Sequence, residues 1–282
     1  MAIATTASRP QARPVTLHGV GRTFAARQRG DRATQVLVDV DLAIAPGEIV
    51  ALIGASGCGK STLLRQVSGL DHPTAGRILI DGEPVDGVDS RCAVAFQEPR
   101  LLPWRTLAQN VALGLPRGTP RAPGRRRVDE LLDLVGLTDA AALRPRQVSG
   151  GMAQRASLAR ALARTPGVLV LDEPFGALDA LTRLRMQDLL LEVHAAEPTT
   201  VLLVTHDVDE ALYLADRVVL LGRPEGTERA APAGVRSITV VPGARPRDRG
   251  DAQLALLRAS LLDGLGVPSN HTAHDPDQHH SI

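Results

Sequence analysis

Apolar residues along the chain follow two patterns, and each predicts a different kind of β-strand. In residues 35–44 apolar and polar residues alternate, which predicts a half-buried antiparallel strand whose inner face carries Val36, Val38, Val40, Leu42 and Ile44. Four later runs, 49–53, 168–171, 199–205 and 218–221, are short, β-branched and apolar on both faces. Such runs are typical of parallel strands that helices cover on both sides. The patterns therefore predict a doubly wound α/β core that follows an antiparallel strand.

The middle of the chain has a different pattern. Between residues 100 and 163 no such run occurs. Apolar residues there recur at helical spacing at Val128, Leu131, Leu132 and Val135. Gly136 follows them in the position just after the last helical turn, which glycine favours. This predicts a mostly helical insertion. The arginine- and proline-rich stretch 117–127 before it is interpreted as a solvated loop, with a lipid-binding or partner-binding patch as the alternative.

Both ends of the chain differ from the core. Residues 1–14 are polar and contain prolines, which predicts a flexible leader. Residues 223–282 form a C-terminal extension, in which one amphipathic stretch predicts a short packing helix through Leu254, Leu256, Leu257, Leu261 and Leu262. The histidine-rich tail at 270–280 is interpreted as disordered, and weak metal binding is the alternative.

Composition excludes several classes of protein. Lys and Arg total 32 against 31 Asp and Glu, a net charge of +1, so no global field favours nucleic acid, and no nucleic-acid partner is expected. No apolar run approaches the roughly 18 residues of a membrane-spanning helix, and the first residues lack the apolar core of a signal peptide. We expect a cytosolic chain in which Cys58 and Cys92, without a CxxC motif, remain reduced thiols.

A glycine-rich loop follows the first parallel strand. Residues 54–62 read GASGCGKST, which fits G-x-x-x-x-G-K-[ST] between a strand and a helix and predicts a polyphosphate site. Its members are Gly54, Ala55, Ser56, Gly57, Cys58, Gly59, Lys60, Ser61 and Thr62. Arginine supplies 31 of the 32 basic residues, so the position of the only lysine, Lys60, needs a reason. Lys60 is the loop position from which a compact ammonium group reaches β- and γ-phosphates, a role to which a guanidinium is poorly suited. Ser61 supplies a hydroxyl for Mg²⁺.

Two adjacent carboxylates end the strand at 168–171. Asp172 is a natural acceptor for Mg²⁺ or its waters, and Glu173 can polarise the water that attacks a γ-phosphate. Gln97, after another short apolar strand, could contact Mg²⁺ or that water. These positions predict hydrolysis of a nucleoside triphosphate.

Three further features follow in a fixed order. Ser149, Gly150 and Gly151 precede an alanine- and arginine-rich helix, which predicts a second anion-binding helix start. Asp179 lies in a turn after the carboxylates, and the strand at 199–205 delivers His206 to the edge of the sheet. One nucleotide seldom needs two such helix starts from one chain.

Taken together, the phosphate loop, Gln97, SGG at 149–151, the Asp-Glu pair, ALD at 177–179 and His206 resemble the ATP-binding subunit of an ABC transporter over about residues 15–222. The resemblance implies a P-loop NTPase core of the ABC type, an antiparallel β subdomain, a helical subdomain near residues 98–165, and ATP with Mg²⁺ bound between two subunits. Ser149, Gly150 and Gly151 of one copy would close on the γ-phosphate held by Lys60 of the other. By the same resemblance Phe24 stacks on adenine, with a core-filling role as the alternative, His206 contacts the γ-phosphate, and Asp179 couples the two sites.

Two longer stretches of sequence indicate a subfamily of these transporters. FQEPRLLPW at 96–104 and DEPFGALDALTRLRMQDLL at 172–190 are most similar to importers of aliphatic sulfonates, with taurine and nitrate importers next. This implies an ATPase at the cytoplasmic face of the cell membrane, a homodimer docked on two permease subunits and served indirectly by a solute-binding protein. Trp104 is then either a permease contact or a core residue of the helical subdomain.

Two other classes of protein are possible, and two residues depart from the family's pattern. A non-transport ABC ATPase and a P-loop kinase or GTPase are the competing classes, and the second leaves SGG and His206 unexplained. The family's signature usually has Leu and Gln where this chain has Val148 and Met152. A thioether cannot make the hydrogen bonds of an amide, so Met152 could weaken nucleotide affinity or closure, but it is not interpreted as inactivating.

Overall fold

The computed structural model describes residues 11–26, 33–223 and 231–267. Within these ranges ten strands and seven α-helices follow one another. In chain order they are β1 (Val15–Phe24), β2 (Thr34–Ile44), β3 (Ile49–Ile53), α1 (Lys60–Val67), β4 (Ala75–Ile80), β5 (Glu83–Pro84), β6 (Cys92–Ala95), α2 (Leu107–Ala112), α3 (Arg121–Leu134), α4 (Gly150–Ala163), β7 (Val168–Asp172), α5 (Ala180–Ala196), β8 (Thr200–Val204), α6 (Val208–Leu214), β9 (Arg217–Gly222), β10 (Gly234–Val240) and α7 (Ala252–Gly264).

The central sheet has six strands in the order β10-β9-β3-β8-β7-β6. All its pairs are parallel except β10 with β9. Alternate residues of β3 belong to different cores: Ile49, Ala51 and Ile53 pack with α4, α5 and α6, whereas Val50 and Leu52 pack with α1 and the second sheet. Burial on both faces explains why these strands are apolar throughout, and the predicted α/β core is confirmed.

The second sheet is antiparallel, with the order β2-β1-β4-β5. The predicted alternation along β2 holds only in its second half. Asp39 has φ of +44° and the register with β1 shifts there, so Leu37 is fully buried while Val36 and Val38 are only partly buried. A bulge of this kind reverses which face each residue occupies, and the alternation alone does not reveal it.

Three helices, α2, α3 and α4, pack together in the middle of the chain, as the helical insertion predicted. The interpretation of residues 117–127 as a loop is wrong from residue 121 onward, because α3 begins there. Pro123 lies in the first turn, where proline removes no helical hydrogen bond. Arg127 pairs with Glu197, its Nη2 lying 2.7 Å from Oε2, so it joins the insertion to the end of α5.

The C-terminal segment contributes more than the predicted packing helix. Strand β10 extends the central sheet and was not predicted, because an edge strand that is largely exposed shows no clear apolar alternation. The predicted helix is α7; it packs on α6 through Leu254 and Leu261, whereas Leu256 is 73% exposed. The histidine-rich tail lies outside the described residues.

The leader is attached to the body of the molecule before residue 15. Arg13 N donates to Gly167 O at 3.1 Å, and Thr200 Oγ1 donates to Arg13 O at 2.6 Å. Residues 1–10 lie outside the described ranges, and the division of the chain into leader, ATPase domain and extension stays a prediction. In the described part of the chain no helix has the length and hydropathy needed to cross a membrane.

Candidate functional site

The glycine-rich loop connects β3 to α1 in a conformation that other residues would strain. Gly54 has φ of +157°, and a Cβ added there would lie 2.3 Å from Leu221 O on β9. Gly59 has φ of +98°, and its Cβ would lie 2.6 Å from the Leu37 side chain on β2. Ala55, Ser56 and Gly57 are exposed at the top of the loop, so the backbone is folded tightly at its ends and open at its tip.

Lys60 is the first residue of α1 and is only 8% exposed. Its Nζ donates to Gly54 O at 2.8 Å and to Ala55 O at 3.2 Å. The ammonium group therefore lies across the loop at a helix N-terminus, where both charge and backbone N–H groups attract an anion.

Ser61 and Asp172 meet across the edge of the sheet. Ser61 Oγ donates to Asp172 Oδ1 at 3.1 Å. Burial raises the pKa of Asp172 above its ordinary value, the hydrogen bond from Ser61 opposes this, and the neighbouring Glu173 carboxylate adds to it. A cation beside Asp172 would reverse this rise because it stabilises the ionised form.

Glu173, His206 and Gln97 come from three different strand ends. Glu173 has φ of +46°, and its N donates to Val204 O at 2.9 Å, which fixes its backbone beside the end of β8. His206 Nδ1 lies 3.3 Å from Glu173 Oε2. A Cβ added at Gly176 would lie 3.1 Å from Gln97 Nε2 and 3.7 Å from Glu173 Oε2, so the amide and the carboxylate border the same small residue.

The second predicted anion site is the start of α4. Ser149 caps this helix, with its Oγ accepting from Met152 N at 3.3 Å, and both Ser149 and Gly150 are exposed. Asp179 caps the neighbouring α5 by accepting from Thr182 N at 3.0 Å, a hydrogen bond that lowers the pKa of Asp179. A Cβ added at Gly151 would lie 2.7 Å from Thr182 Cγ2, so the two helix starts are adjacent. Among the described residues no hydrogen bond joins residues 149–151 to the phosphate loop.

Phe24 ends β1 and is 40% exposed. The guanidinium of Arg22 lies over its ring, 4.5 Å from the centroid, and is held there by two hydrogen bonds to Asp71. The core-filling alternative for Phe24 does not fit this exposure.

Several residues that hold the site in place were not singled out from the sequence. Gln154 on α4 is buried, and its Nε2 donates to Phe96 O at 3.1 Å, next to Gln97. Arg160 on the same helix donates to the carbonyls of Pro99 and Arg100. The available signal was their location, because residues 154 and 160 are polar residues on a helix that is buried along most of its length.

Trp104 lies in a loop that a third residue not singled out from the sequence, Asn110, holds in place. Asn110 is fully buried on α2, accepts from Leu102 N at 2.7 Å and donates to Leu102 O and Thr106 O. Trp104 itself is 67% exposed, so its interpretation as a core residue is wrong.

Val148 and Met152 are partly buried against the core beside Ser149. Met152 also lines a cavity of about 670 Å³ that opens between α4 and α5 and includes Arg155 and Arg185 in its wall. The Met152 thioether therefore adds an apolar group to a cavity wall that also carries charged side chains.

Comparison with known proteins defines the class first. Residues 37–176 match the sequence model of the family described as ABC transporter. The chain also aligns almost end to end with curated ATP-binding proteins of this family at about half identity, so it belongs to the ABC transporter family and is one of its ATP-binding proteins.

The relatives are named as ATP-binding proteins of particular importers. The Aliphatic sulfonates import ATP-binding protein SsuB 1 of Xanthomonas axonopodis pv. citri is 50% identical over 251 residues, which is 88% of this chain and 95% of that protein. The protein of the same name from Rhodococcus jostii is 52% identical over 249 residues, 88% of this chain and 92% of its own. The Nitrate import ATP-binding protein NrtD of Synechococcus elongatus is 43% identical over 265 residues, 92% of each chain.

Solved structures show the same fold. A dimeric ATP-binding cassette in a post-hydrolysis state, bound to ADP and Pi, superposes with a TM-score of 0.67 at 32% identity, covering 82% of this chain and all of that one. The cbiO1 protein of Clostridium perfringens, part of an ABC transporter complex, gives a TM-score of 0.69 at 25% identity over 89% of this chain and 96% of its own. The ABC-type nucleotide-binding fold expected from the sequence is therefore confirmed.

Proposed function

We propose that this chain is the ATP-hydrolysing subunit that powers import of aliphatic sulfonates through an ABC transporter. The observation that carries the proposal is the meeting of the phosphate loop, the Ser61–Asp172 pair and the Glu173–His206 contact at one edge of the central sheet. The sulfonate assignment is supported by relatives of that name at 50% to 52% identity.

The loop at 54–62 holds the triphosphate. Lys60 Nζ, which now donates to two loop carbonyls, would exchange them for phosphate oxygens, and the N–H groups that open α1 would add their donors. The exposed tip at Ala55, Ser56 and Gly57 leaves room for the phosphates to settle on the backbone.

Ser61, Asp172 and Gln97 fit a magnesium ion. They present a hydroxyl, a carboxylate and an amide oxygen, which are hard oxygen donors, and the first two already lie within 3.1 Å of each other. Mg²⁺ characteristically takes its remaining ligands from substrate phosphates and water. When bound, Mg²⁺ neutralises charge on the β- and γ-phosphates.

Glu173 accepts the proton of the attacking water. His206 orients that carboxylate from 3.3 Å away and, being 62% exposed in its side chain, is also free to contact the γ-phosphate. Gln97, beside Gly176, holds the water on the other side. Hydrolysis therefore depends mainly on position and charge compensation, as phosphoryl transfer requires.

A second copy of the chain completes the site. Ser149 and Gly150 expose the start of α4, yet form no hydrogen bond with the phosphate loop of the same chain within the described residues. In a head-to-tail homodimer this helix start meets the γ-phosphate held by Lys60 of the partner, and Asp179, adjacent through Gly151 and Thr182, couples the two sites. Phe24 stacks on the adenine with Arg22 behind its ring.

The homodimer would lie at the cytoplasmic face of the membrane beneath two permease subunits, which a solute-binding protein supplies. The exposed Trp104, on the loop that Asn110 fixes, is a candidate permease contact. ATP stabilises the closed dimer and hydrolysis releases it, so each cycle moves the docked permease between its two states.

Reconstitution with the permease tests the proposal. We expect ATP hydrolysis by the assembled transporter to rise several-fold when a binding protein loaded with an alkanesulfonate is added. The nitrate-importer relative supports nitrate as a second candidate solute, and taurine is a third. Stimulation by nitrate or taurine, with none by alkanesulfonates, would replace the solute but keep the ATPase; no hydrolysis with any permease would overturn the function.

A further inference from the structure

Two buried polar side chains beside the site have no part in the mechanism above. Glu210 on α6 is 4% exposed and Gln187 on α5 is 2% exposed. Gln187 Nε2 donates to Glu210 Oε2 at 3.2 Å. A carboxylate and an amide buried this deeply cost free energy unless their hydrogen bonds are complete, so the pair needs a reason.

Glu210 holds the backbone on both sides of His206. The hydroxyl of Thr205 donates to the Glu210 carboxylate, and Thr205 Oγ1 accepts from Asp207 N at 3.0 Å. Asp207 Oδ1 in turn accepts from Glu210 N at 3.1 Å. The residues before and after His206 are thus tied to Glu210 by a closed ring of hydrogen bonds.

The ring continues into the C-terminal segment. Arg249, which lies between β10 and α7, donates from Nη1 to Gln187 Oε1 at 2.7 Å and from Nη2 to Asp188 Oδ1 at 2.9 Å. Its guanidinium lies 3.5 Å from the centroid of the Tyr213 ring. Because Arg249 can only donate, it turns the Gln187 oxygen toward itself and the Gln187 nitrogen toward Glu210.

We infer that Glu210 is a positioning residue for His206, and that Gln187 and Arg249 extend this control to the C-terminal segment. The inference rests on the proposed role of His206 in hydrolysis. The ionised carboxylate accepts from Thr205 and Gln187 together and so fixes the histidine against Glu173, 3.3 Å away. Protonation places a hydrogen on one carboxylate oxygen and removes the negative charge, which weakens the hydrogen bonds that the carboxylate accepts.

The charge state of this carboxylate changes in the physiological range. Burial raises the pKa of Glu210 to about 7, against the hydrogen bonds from Thr205 and Gln187, which lower it. The charged or titratable groups on the elements packed around it are Asp207 and Asp209 on its own helix, Arg183, Arg185, Asp188, Glu192 and His194 on α5, Arg217 on β9, Arg249 before α7, and Arg258 and Asp263 on α7. Strand β3 is entirely apolar.

The experiment measures ATP hydrolysis by the full-length chain between pH 5.5 and 8.5, with Glu210→Gln, Arg249→Ala and Arg258→Ala. We expect the wild-type kcat to rise with pH about a midpoint near 7, as Glu210 ionises. Glu210→Gln should lower kcat at pH 8 by about tenfold with KM for ATP within twofold, and should remove this midpoint. Arg249→Ala should lower kcat about threefold, since it disturbs Glu210 only through Gln187.

Arg258→Ala is the matched control. Arg258 also joins the C-terminal segment to α6, 3.2 Å from Asp209, but both side chains are more than half exposed, and their ion pair does not involve the Glu210 carboxylate. It should leave kcat and the pH profile unchanged. A swap of the pair, Gln187→Glu with Glu210→Gln, keeps every donor matched to an acceptor and should restore kcat to within about threefold while shifting the pH midpoint downward, because the carboxylate then faces Arg249.

The outcomes separate the two claims. If Glu210→Gln keeps the wild-type kcat and pH profile while His206→Ala abolishes hydrolysis, the positioning role is wrong and the proposed function stands. If His206→Ala hydrolyses ATP at the normal rate, the role of His206 fails and the inference fails with it. If Glu210→Gln does not fold, Arg249→Ala decides: a kcat equal to that of Arg258→Ala overturns the inference.

Discussion

The starts of α1 and α4 are both built to attract an anion, but one chain completes only the first. At α1 the ammonium of Lys60 is buried and bonded to the loop, and Ser61 is already bonded to Asp172. At α4 the capping Ser149 and the following Gly150 face solvent with no partner from the phosphate loop within the described chain. In the proposed function this difference makes nucleotide binding a property of one subunit and closure a property of the pair.

The carboxylate on the completed side gives the largest expected effect. Glu173→Gln keeps the side chain's shape but removes the proposed base, so we expect hydrolysis to slow by about 100- to 10,000-fold, measured as phosphate release, with ATP affinity retained. The variant should accumulate as an ATP-dependent dimer in size-exclusion chromatography. Asp209→Asn, at an exposed carboxylate, is the control; a normal rate for Glu173→Gln would mean that another residue is the base.

Lys60→Arg tests whether the completed side depends on shape as well as charge. The substitution keeps a positive charge in a space where only 8% of the residue is exposed, and a planar guanidinium cannot take the place of a compact ammonium there. We expect ATP affinity to fall by roughly 100-fold, measured by calorimetry. Arg117→Lys, the converse exchange at an exposed position, should leave affinity unchanged; equal affinity for Lys60→Arg would show that charge alone is needed.

Ser149→Ala tests the open side. It removes the α4 cap, at a cost of about 1 kcal/mol in the free energy of unfolding. We also expect about a tenfold weaker ATP-dependent dimer in the Glu173→Gln background, since in the proposed homodimer the serine faces the partner's γ-phosphate. Thr106→Ala is a matched control, because Thr106 caps α2 in the same way, accepting from Gln109 N at 3.1 Å. Both variants should lose similar stability. If both also dimerise equally, the start of α4 is not part of a shared site.

Features of the site that depend on a local sequence pattern could be predicted, whereas those that depend on distant contacts could not. The phosphate loop, the carboxylate pair and the parallel strands were predictable, because each is a local pattern whose backbone geometry demands particular residues, such as Gly54 and Gly59. The residues that hold the site in place could not be predicted. Gln154, Asn110 and Glu210 act through contacts with residues far away in the chain, and a single polar residue on a buried helix does not reveal its partner.

The same reasoning accounts for the errors in the fold. Strand β10 is largely exposed, so it lacks the apolar pattern that marks the other strands. The bulge at Asp39 depends on a backbone angle rather than on hydropathy. The segment 121–127 is rich in arginine because it lies on a helix surface, and not because it is a loop.

The aspartates on the two sides differ in a way that titration can measure. Burial raises the pKa of Asp172, whereas the hydrogen bond from Thr182 N lowers the pKa of the exposed Asp179. In a carboxyl-detected NMR titration we expect Asp172 to have its midpoint above 3.8 and Asp179 below it, each assigned by its Asn variant. As pH falls, Asp172 should therefore take up its proton first, and the Mg²⁺-dependent part of ATP affinity should be lost while Asp179 is still ionised. Adding Mg²⁺ with a non-hydrolysable ATP analogue should lower the Asp172 midpoint; an unmoved midpoint would place the metal elsewhere.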